Sequence, residues 1–489
     1  MSALIVVDNP KNWPLEIRGV EVVSSRDYLT LPKYAAMSRA KVFNLCRSYR
    51  YQAAGYYVSL LAQARGHRPL PSVGTLQDLR LSPVVRIAAH EMDDLIQNAL
   101  KPLKSDKFEL SVYFGSNVTP RYDRLGLAIF NQFPAPFLRV QFERDGASDD
   151  RSEWSIKSVR IIGADEIPPE HHAFAVSKAE EHIQRGHRSR KNKSSAKYDL
   201  AILHDPDDQM PPSDPKALKR FVAAAESVGM RPWLITREDY GSLAEFDALF
   251  IRETTSVNHH TFRFARRAAA EGMVVIDDPE SILRCSNKVF LAELLSRHKL
   301  MTPATVIFSM DNANLVGERI GFPCVIKQPD SAFSQGVVKI DTEEAFKAQL
   351  EQLFETSELL LAQEFVPTDF DWRIGVLGGR ALFACKYFMA RKHWQIIKRE
   401  GSTSRFGKFE SLPVHQAPQK VVSAAVKAAN LIGNGLYGVD LKVLGGKPKI
   451  IEVNDNPSID AGIEDKVLGN LLYEQIMLHI MMQLEERGR

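Results

Sequence analysis

Short apolar runs alternate with helix-period stretches along most of this chain, and the alternation is cleanest after residue 197. Leu200–His204 predicts a buried strand, and Pro215–Val228 an amphipathic helix closed by Gly229. Pro232–Thr236 and Ala248–Ile251 predict strands, His259–Glu271 a helix ended by Gly272, and Met273–Ile276 a further strand. That βαβ rhythm implies a small open sheet with helices on its faces. Upstream, Leu4–Val7, Val20–Val23 and Val42–Leu45 read as strands, and Ala53–Ala64 as a helix with Gly66 at its C-cap. Leu110–Phe114, Phe137–Phe142 and Val159–Ile162 add strand-like pieces, so the region to about residue 180 is expected to be α+β. The stretch Leu468–Leu484 has apolar positions at helical spacing but carries Asn470, Glu474, Gln475, His479 and Gln483. It predicts a packed terminal helix and not a membrane span.

At 489 residues the chain has room for two to four domains. Sixty-three Lys and Arg against sixty Asp and Glu leave a net charge of +3, too balanced for a protein that coats nucleic acid or an anionic membrane. Cys46, Cys285, Cys324 and Cys385 are scattered without a CxxC pair, which argues against a disulfide scaffold or a Cys-rich zinc site. A reducing compartment is expected, and with no basic n-region after Met1, a cytoplasmic location without a signal peptide. Six of the thirteen residues from Arg185 to Lys197 are basic and none is acidic. A solvated linker is the preferred reading of that stretch, and a polyanion-binding segment the alternative.

The chemistry concentrates in Gly438–Pro457. Two apolar runs flank Gly445-Gly446-Lys447-Pro448, a hairpin signal. A hairpin centred on Gly446 sets Asp440 opposite Glu452, with Asn454 on the same face. Facing carboxylates repel unless a cation lies between them. Oxygen ligands with no His or Cys beside them suit Mg²⁺, which completes its octahedron with water and substrate phosphates. The hairpin therefore predicts a nucleotide.

A phosphate cradle should accompany it, yet the chain has no GxxxxGK[ST]. Gly433–Gly438 matches GxGxxG, but it follows a helical pattern and precedes a strand, the reverse of the dinucleotide context. Better candidates are Lys327, at the end of the strand Phe322–Lys327, and the polar loop Gln328–Gly336. Lys288 opens another helix, with Ser286 as its expected N-cap. Arg47 and Tyr49 sit between a strand and a helix, where α/β proteins bind anions.

The order Asn287-Lys288, Val325-Ile326-Lys327, Leu361–Val366, Asp371-Trp372-Arg373, Gly438-Val439-Asp440 and Glu452–Pro457 resembles the ATP-grasp carboxylate–amine ligases, most closely the RimK-type glutamate ligases. The resemblance covers about residues 197–485, and the segment before it resembles the N-terminal domain fused to RimK-like modules. It implies an α/β and α+β multidomain chain: an N-terminal α+β domain (1–184), a basic linker (185–197), a pre-ATP-grasp open sheet (198–285), a central lobe (286–366) and a C-terminal lobe with the metal site (367–489).

By that resemblance Lys288 and Lys327 contact ATP phosphates, aided by Ser334, Gln335 and Gly336 of the loop. Gln363, Glu364, Phe365 and Val366 form the hinge strand beside the adenine, and Asp371 lies near the nucleotide. Asp440, Glu452 and Asn454 bind two Mg²⁺, with Mn²⁺ the alternative ion, and Arg373 and Arg405 stabilise the transferring phosphoryl group. RimK-type enzymes have an Asn-Leu-His-Arg-Gly-Gly-like stretch where this chain reads Ile397–Lys408, a divergence that bears on the substrate. Arg47, Tyr49, Arg399, Asn456 and Ser458 are the candidate substrate contacts.

The implied reaction is ATP-dependent amide formation through an acylphosphate, joining an amino-acid or peptide carboxylate to an amine. A free small peptide is the preferred product. Addition of glutamate to a protein C-terminus, such as that of a ribosomal protein, is the alternative. A non-catalytic ATP-binding regulator and a ribosome-binding protein acting through the linker are rivals from other classes. No membrane association and no stable nucleic-acid binding are expected, and a homo-oligomer is compatible with the resemblance.

Overall fold

The computed structural model describes residues 3–37, 40–81, 85, 88–90, 92–145, 153–185, 196–330, 336–355, 357–390, 393–400 and 403–487. The chain divides into two compact units, one of residues 1–194 with 238–245, the other of residues 195–237 with 246–489. Most of the basic stretch 185–197 lies outside the described residues.

The first unit holds two sheets. Strands β1 (Ala3–Val7), β2 (Glu21–Ser24), β3 (Lys41–Asn44) and β4 (Arg68–Leu70) form a parallel sheet in the order β2-β1-β3-β4. The helix Ala54–Ala64 follows β3 and ends at Gly66, whose φ of +69° is the left-handed C-cap conformation. Strands β5 (Lys107–Tyr113), β6 (Phe137–Asp145) and β7 (Glu153–Ile161) form an antiparallel sheet around a core that includes Leu110, Val112, Phe137 and Val140. The α+β description therefore needs sharpening: residues 3–70 are a parallel α/β layer, and the antiparallel part begins at Lys107. Residues 238–245 join this unit through Glu245, half-buried between Lys41 and His182, with His182 Nε2 at 2.6 Å. Against the desolvation of Glu245, Lys41 and His182 hold its carboxyl far below the usual carboxylate range.

The second unit opens with β8 (Tyr198–Leu203), β9 (Met230–Ile235), β10 (Ala248–Ile251) and β11 (Val274–Ile276), all parallel, in the order β11-β10-β8-β9. The helix Pro215–Ser227 has Asp214 as N-cap and packs Phe221 against Phe250 and Tyr473, the latter on the terminal helix Asn470–Arg487. Next comes an antiparallel sheet of β12 (Thr305–Phe308), β13 (Cys324–Lys327), β14 (Val337–Ile340) and β15 (Leu360–Glu364), ordered β12-β15-β13-β14. The last large sheet uses β16 (Phe370–Leu377), β17 (Arg380–Phe388), β20 (Phe409–Leu412), β21 (Leu436–Leu444) and β22 (Lys447–Asn454), ordered β20-β17-β16-β21-β22. Between β17 and β20, β18 (Ile397–Glu400) and β19 (Thr403–Phe406) pair only with each other. Among the described residues no helix is long and apolar enough to cross a membrane.

The β21–β22 hairpin reaches its register by a route the sequence does not display. Gly445 and Gly446 have φ of +56° and +72°, the two left-handed positions of a type I′ turn, which pairs Leu444 with Lys447. Continued without interruption, that register would set Asp440 opposite Ile451. A bulge between Asp440 and Leu441 takes up one residue, and Asp440 pairs with Glu452 and Gly438 with Asn454. A Cβ on Gly438 would lie 2.7 Å from Pro457 Cβ, so the strand can pass the loop after β22 only with glycine there. The GxGxxG string spans a helix end and the start of a strand, since the helix Gln419–Ile432 stops at Gly433 and β21 begins at Leu436.

Candidate active site

The β21–β22 hairpin forms one wall of a cleft of about 1570 Å³ within the second unit. Asp440 on β21 faces Arg373 on β16, and the two make a bidentate ion pair, with Nε to Oδ1 and NH2 to Oδ2 both at 2.7 Å. Asp440 raises the Arg373 guanidinium well above its ordinary range, overcoming the desolvation of burial. Asn454 Nδ2 lies 3.3 Å from both Asp440 Oδ2 and the Gly438 carbonyl, which leaves Asn454 Oδ1 available as a ligand. Glu452 faces Lys288 Nζ at 3.5 Å.

Lys288 is the first residue of the helix Lys288–Arg297. The cap is Asn287 and not Ser286: Asn287 Oδ1 accepts from the Val289 and Phe290 amides at 3.1 and 3.0 Å, while Ser286 ends the preceding helix. Asn287 also donates to Asp330 Oδ1 at 2.9 Å, which ties the lysine-bearing helix to the loop after β13. Lys327, at the end of β13, lines the same cleft. Burial brings its ammonium down to about 8, with Glu452 opposing and Lys288 and Lys442 adding to the fall.

Asp371 is bonded to Lys442 Nζ at 2.6 Å and to Thr368 Oγ1 at 3.2 Å, and burial nonetheless raises its pKa. Lys442 was not among the sequence candidates, although the alternation that selects Asp440 puts it two residues on along the same strand. Lys288, Lys327, Arg373 and Lys442 line the cleft beside Asp371, Asp440 and Glu452, cations suited to phosphate next to carboxylates suited to its divalent cations.

The hinge residues end β15 and continue just past it. Gln363 donates to Thr305 Oγ1 at 3.0 Å, and Glu364 accepts from Lys449 Nζ at 2.6 Å and from the Ala304 amide at 3.2 Å. Phe365 lies under Lys339, 4.7 Å from its ring centroid, and edge-on to Trp394. Glu364, Phe365, Val366 and Trp394 line the cleft, and Trp394 is a neighbour the sequence did not single out. Gly336, at φ +64°, accepts from the Gln328 amide at 2.9 Å and closes the loop onto β13.

Ser334 and Gln335 lie outside the described residues, as do the side chains of Arg399 on β18 and Arg405 on β19. Ser458 lines the cleft. Asn456 does too, but its amide is engaged, with Oδ1 accepting from Arg252 at 2.6 Å and Nδ2 donating to the Glu253 carbonyl at 2.7 Å. Arg47 and Tyr49 belong to the first unit and have local partners: Arg47 pairs with Asp165 at 3.1 Å, and the Tyr49 hydroxyl donates to the Asn44 carbonyl at 2.8 Å.

Sequence reasoning missed Arg252. Its side chain is 1% exposed, and it donates to Ser213 Oγ, Asn456 Oδ1 and the carbonyls of Pro212 and Pro457 at 2.5–3.1 Å. Burial lowers its guanidinium to about 10 against the pull of Asp277, Asp460 and Glu464. Beside it, Asp455 is pushed up to about 7 by burial, and Asp277 is raised well above the carboxylate range by burial and by Asp455.

The donor set fits a hard divalent cation. Asp440, Glu452 and Asn454 offer only oxygen ligands on one face of a rigid hairpin, and Arg373 leaves lone pairs on each Asp440 oxygen.

Residues 25–178 match the family model of the RimK-like ATP-grasp N-terminal domain, and residues 285–459 match that of the ATP-grasp domain. A probable alpha-L-glutamate ligase of Psychromonas ingrahamii is 30% identical over 234 residues, which are 45% of this chain and 72% of the relative. The alpha-aminoadipate–LysW ligase LysX of Sulfolobus acidocaldarius is 29% identical over 212 residues, 42% of this chain and 72% of that one. The D-alanine–D-alanine ligase of Bacillus anthracis complexed with ATP covers 60% of this chain and 99% of its own at 14% identity, with a TM-score of 0.45. The chain belongs to the RimK-like ATP-grasp ligases. It is an ATP-dependent ligase, of a family that works with ATP and a divalent cation.

The low Lys327 pKa has a measurable consequence. Since its folded value of about 8 lies below the ordinary 10.5, the native state binds fewer protons than the unfolded chain between those values. This residue therefore costs stability below pH 8, and the cost fades as pH rises toward 10.5. A bound phosphate should restore the proton. ATP binding is expected to take up protons most strongly near and above pH 8 and to weaken with rising pH, as titration calorimetry in buffers of different ionisation enthalpy would show. Lys327→Met should remove the proton uptake and raise the melting temperature at pH 7 while weakening ATP binding.

Proposed function

We propose that this enzyme joins a carboxylate to an amine, with amino acids as both substrates and a small peptide as product. The observation that carries this reading is the convergence of Lys288, Lys327, Arg373, Asp440, Glu452 and Asn454 on one cleft. Its volume of about 1570 Å³ exceeds the roughly 300–1,000 Å³ usual for one small ligand, leaving room beside ATP for two amino acids.

The site residues take the roles their positions suggest. Lys288 and Lys327 hold the β- and γ-phosphates, and Ser334, Gln335 and Gly336 of the loop after β13 are proposed to assist them. The backbone of Gln363–Val366 presents donors and acceptors to the adenine, with Phe365 against its face. Asp440, Glu452 and Asn454 would hold two magnesium ions, or manganese, which when bound would supply charge neutralisation for the transferring phosphoryl group. A substrate carboxylate oxygen attacks the γ-phosphorus, and the bond to ADP breaks. The amine then attacks the acylphosphate carbonyl, phosphate leaves with its electron pair, and the amine proton passes to solvent. Arg373 stands where it can oppose charge on the transferring group, and Arg405 is proposed to assist it. Arg399, Asn456 and Ser458 are the proposed substrate contacts. The central lobe would comprise residues 286–366 and the C-terminal lobe 367–489. Use of ATP and four free, buried cysteines fit a cytoplasmic setting.

The relatives, a probable alpha-L-glutamate ligase and an alpha-aminoadipate–LysW ligase, favour a second reading in which the amino acid is added to a protein. Phosphate release from ATP across pairs of amino acids separates the two. Release with a defined pair, and a dipeptide by mass spectrometry, is the expected result. Release only with a protein fraction would replace the first reading by the second, and no ATP consumption under any condition would overturn both.

A further inference from the structure

Behind the cleft, at the carboxyl end of β10, three side chains converge that the ligase chemistry does not use. Glu253 follows the buried Arg252, and His259 and His260 begin the helix that runs to Ala270. One ligand atom from each of the three lies within 4.8 Å of the others. We propose that Glu253, His259 and His260 form a second metal site, separate from the magnesium hairpin, that takes a transition cation of the Zn²⁺ type.

The Glu253 side chain is deeply buried, its residue 3% exposed, and its Oε2 has no hydrogen-bond partner. A desolvated carboxylate oxygen of that kind is costly unless a cation meets it. His260 Nε2 lies 2.5 Å from Glu253 Oε1, a close contact that leaves Oε2 as the unpartnered oxygen. The His259 and His260 rings are 4.0 Å apart between centroids. Both residues are half-buried, and one ring nitrogen of His259 has a local partner. Its Nδ1 lies 3.1 Å from Thr261 Oγ1, the outer-shell contact that orients a metal-bound ring, and Nε2 remains for the metal.

The two sites differ in donor chemistry. Two imidazole nitrogens and one carboxylate suit Zn²⁺, whereas the all-oxygen hairpin suits Mg²⁺. A cation held here would also stiffen the catalytic wall, because the Glu253 carbonyl accepts from Asn456, two residues beyond Asn454. The proposal does not depend on the substrate.

The test uses the full chain, stripped by a chelator and titrated with Zn²⁺ in the presence of saturating Mg²⁺ and ADP. One equivalent of zinc is expected to bind. His259→Ala and His260→Ala should each weaken it more than about 100-fold, beyond the 10–100-fold that loss of an outer-shell partner brings. Glu452→Gln should leave it unchanged. X-ray absorption on the zinc-loaded wild-type chain should show two imidazole ligands, a readout that needs no variant to fold. Absence of zinc uptake, uptake insensitive to the histidine variants, uptake lost with Glu452→Gln, or a zinc spectrum without imidazole would each overturn the proposal.

Discussion

Glu452→Gln is expected to lower the ligation rate on the order of 10³-fold while leaving the fold intact, because it removes one charged oxygen ligand from the hairpin and little else. The Glu452 side chain is 30% exposed, and its one ion pair, to Lys288, is long at 3.5 Å. Loss of that pair should move the melting temperature little. Asp440→Asn should cost as much activity and a great deal of stability besides. Asp440 neutralises the buried Arg373 through two bonds of 2.7 Å, and truncating one partner of such a pair costs about 3–5 kcal/mol. The comparison separates chemistry from folding: steady-state kinetics should show similar losses for the two variants, and thermal melts should show a large shift only for Asp440→Asn. A Glu452→Gln enzyme with wild-type turnover would remove Glu452 from the metal site.

Arg252→Ala should be the most destabilising single change in the second unit. The arginine bridges Pro212 and Ser213, before the helix Pro215–Ser227, to Asn456 and Pro457, just after the metal-binding strand. Direct bonds reinforce the same seam: the Ile459 amide donates to the Pro212 carbonyl at 2.8 Å, and Ser213 Oγ donates to the Ile459 carbonyl at 2.9 Å. Removing the guanidinium leaves those carbonyls and the nearby Asp277 and Asp460 without their cation. A loss of about 3–5 kcal/mol follows, or a drop in melting temperature on the order of 10 °C. Activity should fall as well, since Asn456 loses its anchor two residues from Asn454. Arg252→Lys keeps the charge but not the fork, and should recover part of the stability and less of the activity. A melting temperature for Arg252→Ala within two or three degrees of wild type, about the shift 1 kcal/mol gives, would contradict this role.

The contrast between these two residues explains what the sequence could reveal. The hairpin is legible because its signal is local: strand alternation, a Gly-Gly turn and two carboxylates at a fixed offset lie within twenty residues. Even there, the bulge that sets Asp440 against Glu452 leaves no mark in the pattern, and the pairing follows from a centre at Gly446, half a residue from the turn's centre between Gly445 and Gly446. Lys442 was equally readable by alternation but had no reason to be noticed until Asp371 was placed beside it. Arg252 was not readable. It follows an apolar strand as many surface arginines do, and its partners lie about 40 and about 205 residues away, two of the four being backbone carbonyls with no sequence signature. Ser286 and Asn287 are both good capping residues, and only the end of the preceding helix decides between them. In the first unit, the parallel order β2-β1-β3-β4 depends on pairings between distant strands that short apolar runs do not specify.

The central claim is that this cleft activates a carboxylate by phosphorylation before an amine displaces phosphate. Transfer of ¹⁸O tests it most directly. With the amino-acid pair that supports phosphate release, and the activated carboxylate labelled with ¹⁸O, each phosphate released should carry one labelled oxygen and the nucleotide product should be ADP. Unlabelled phosphate, or AMP with pyrophosphate, would contradict it.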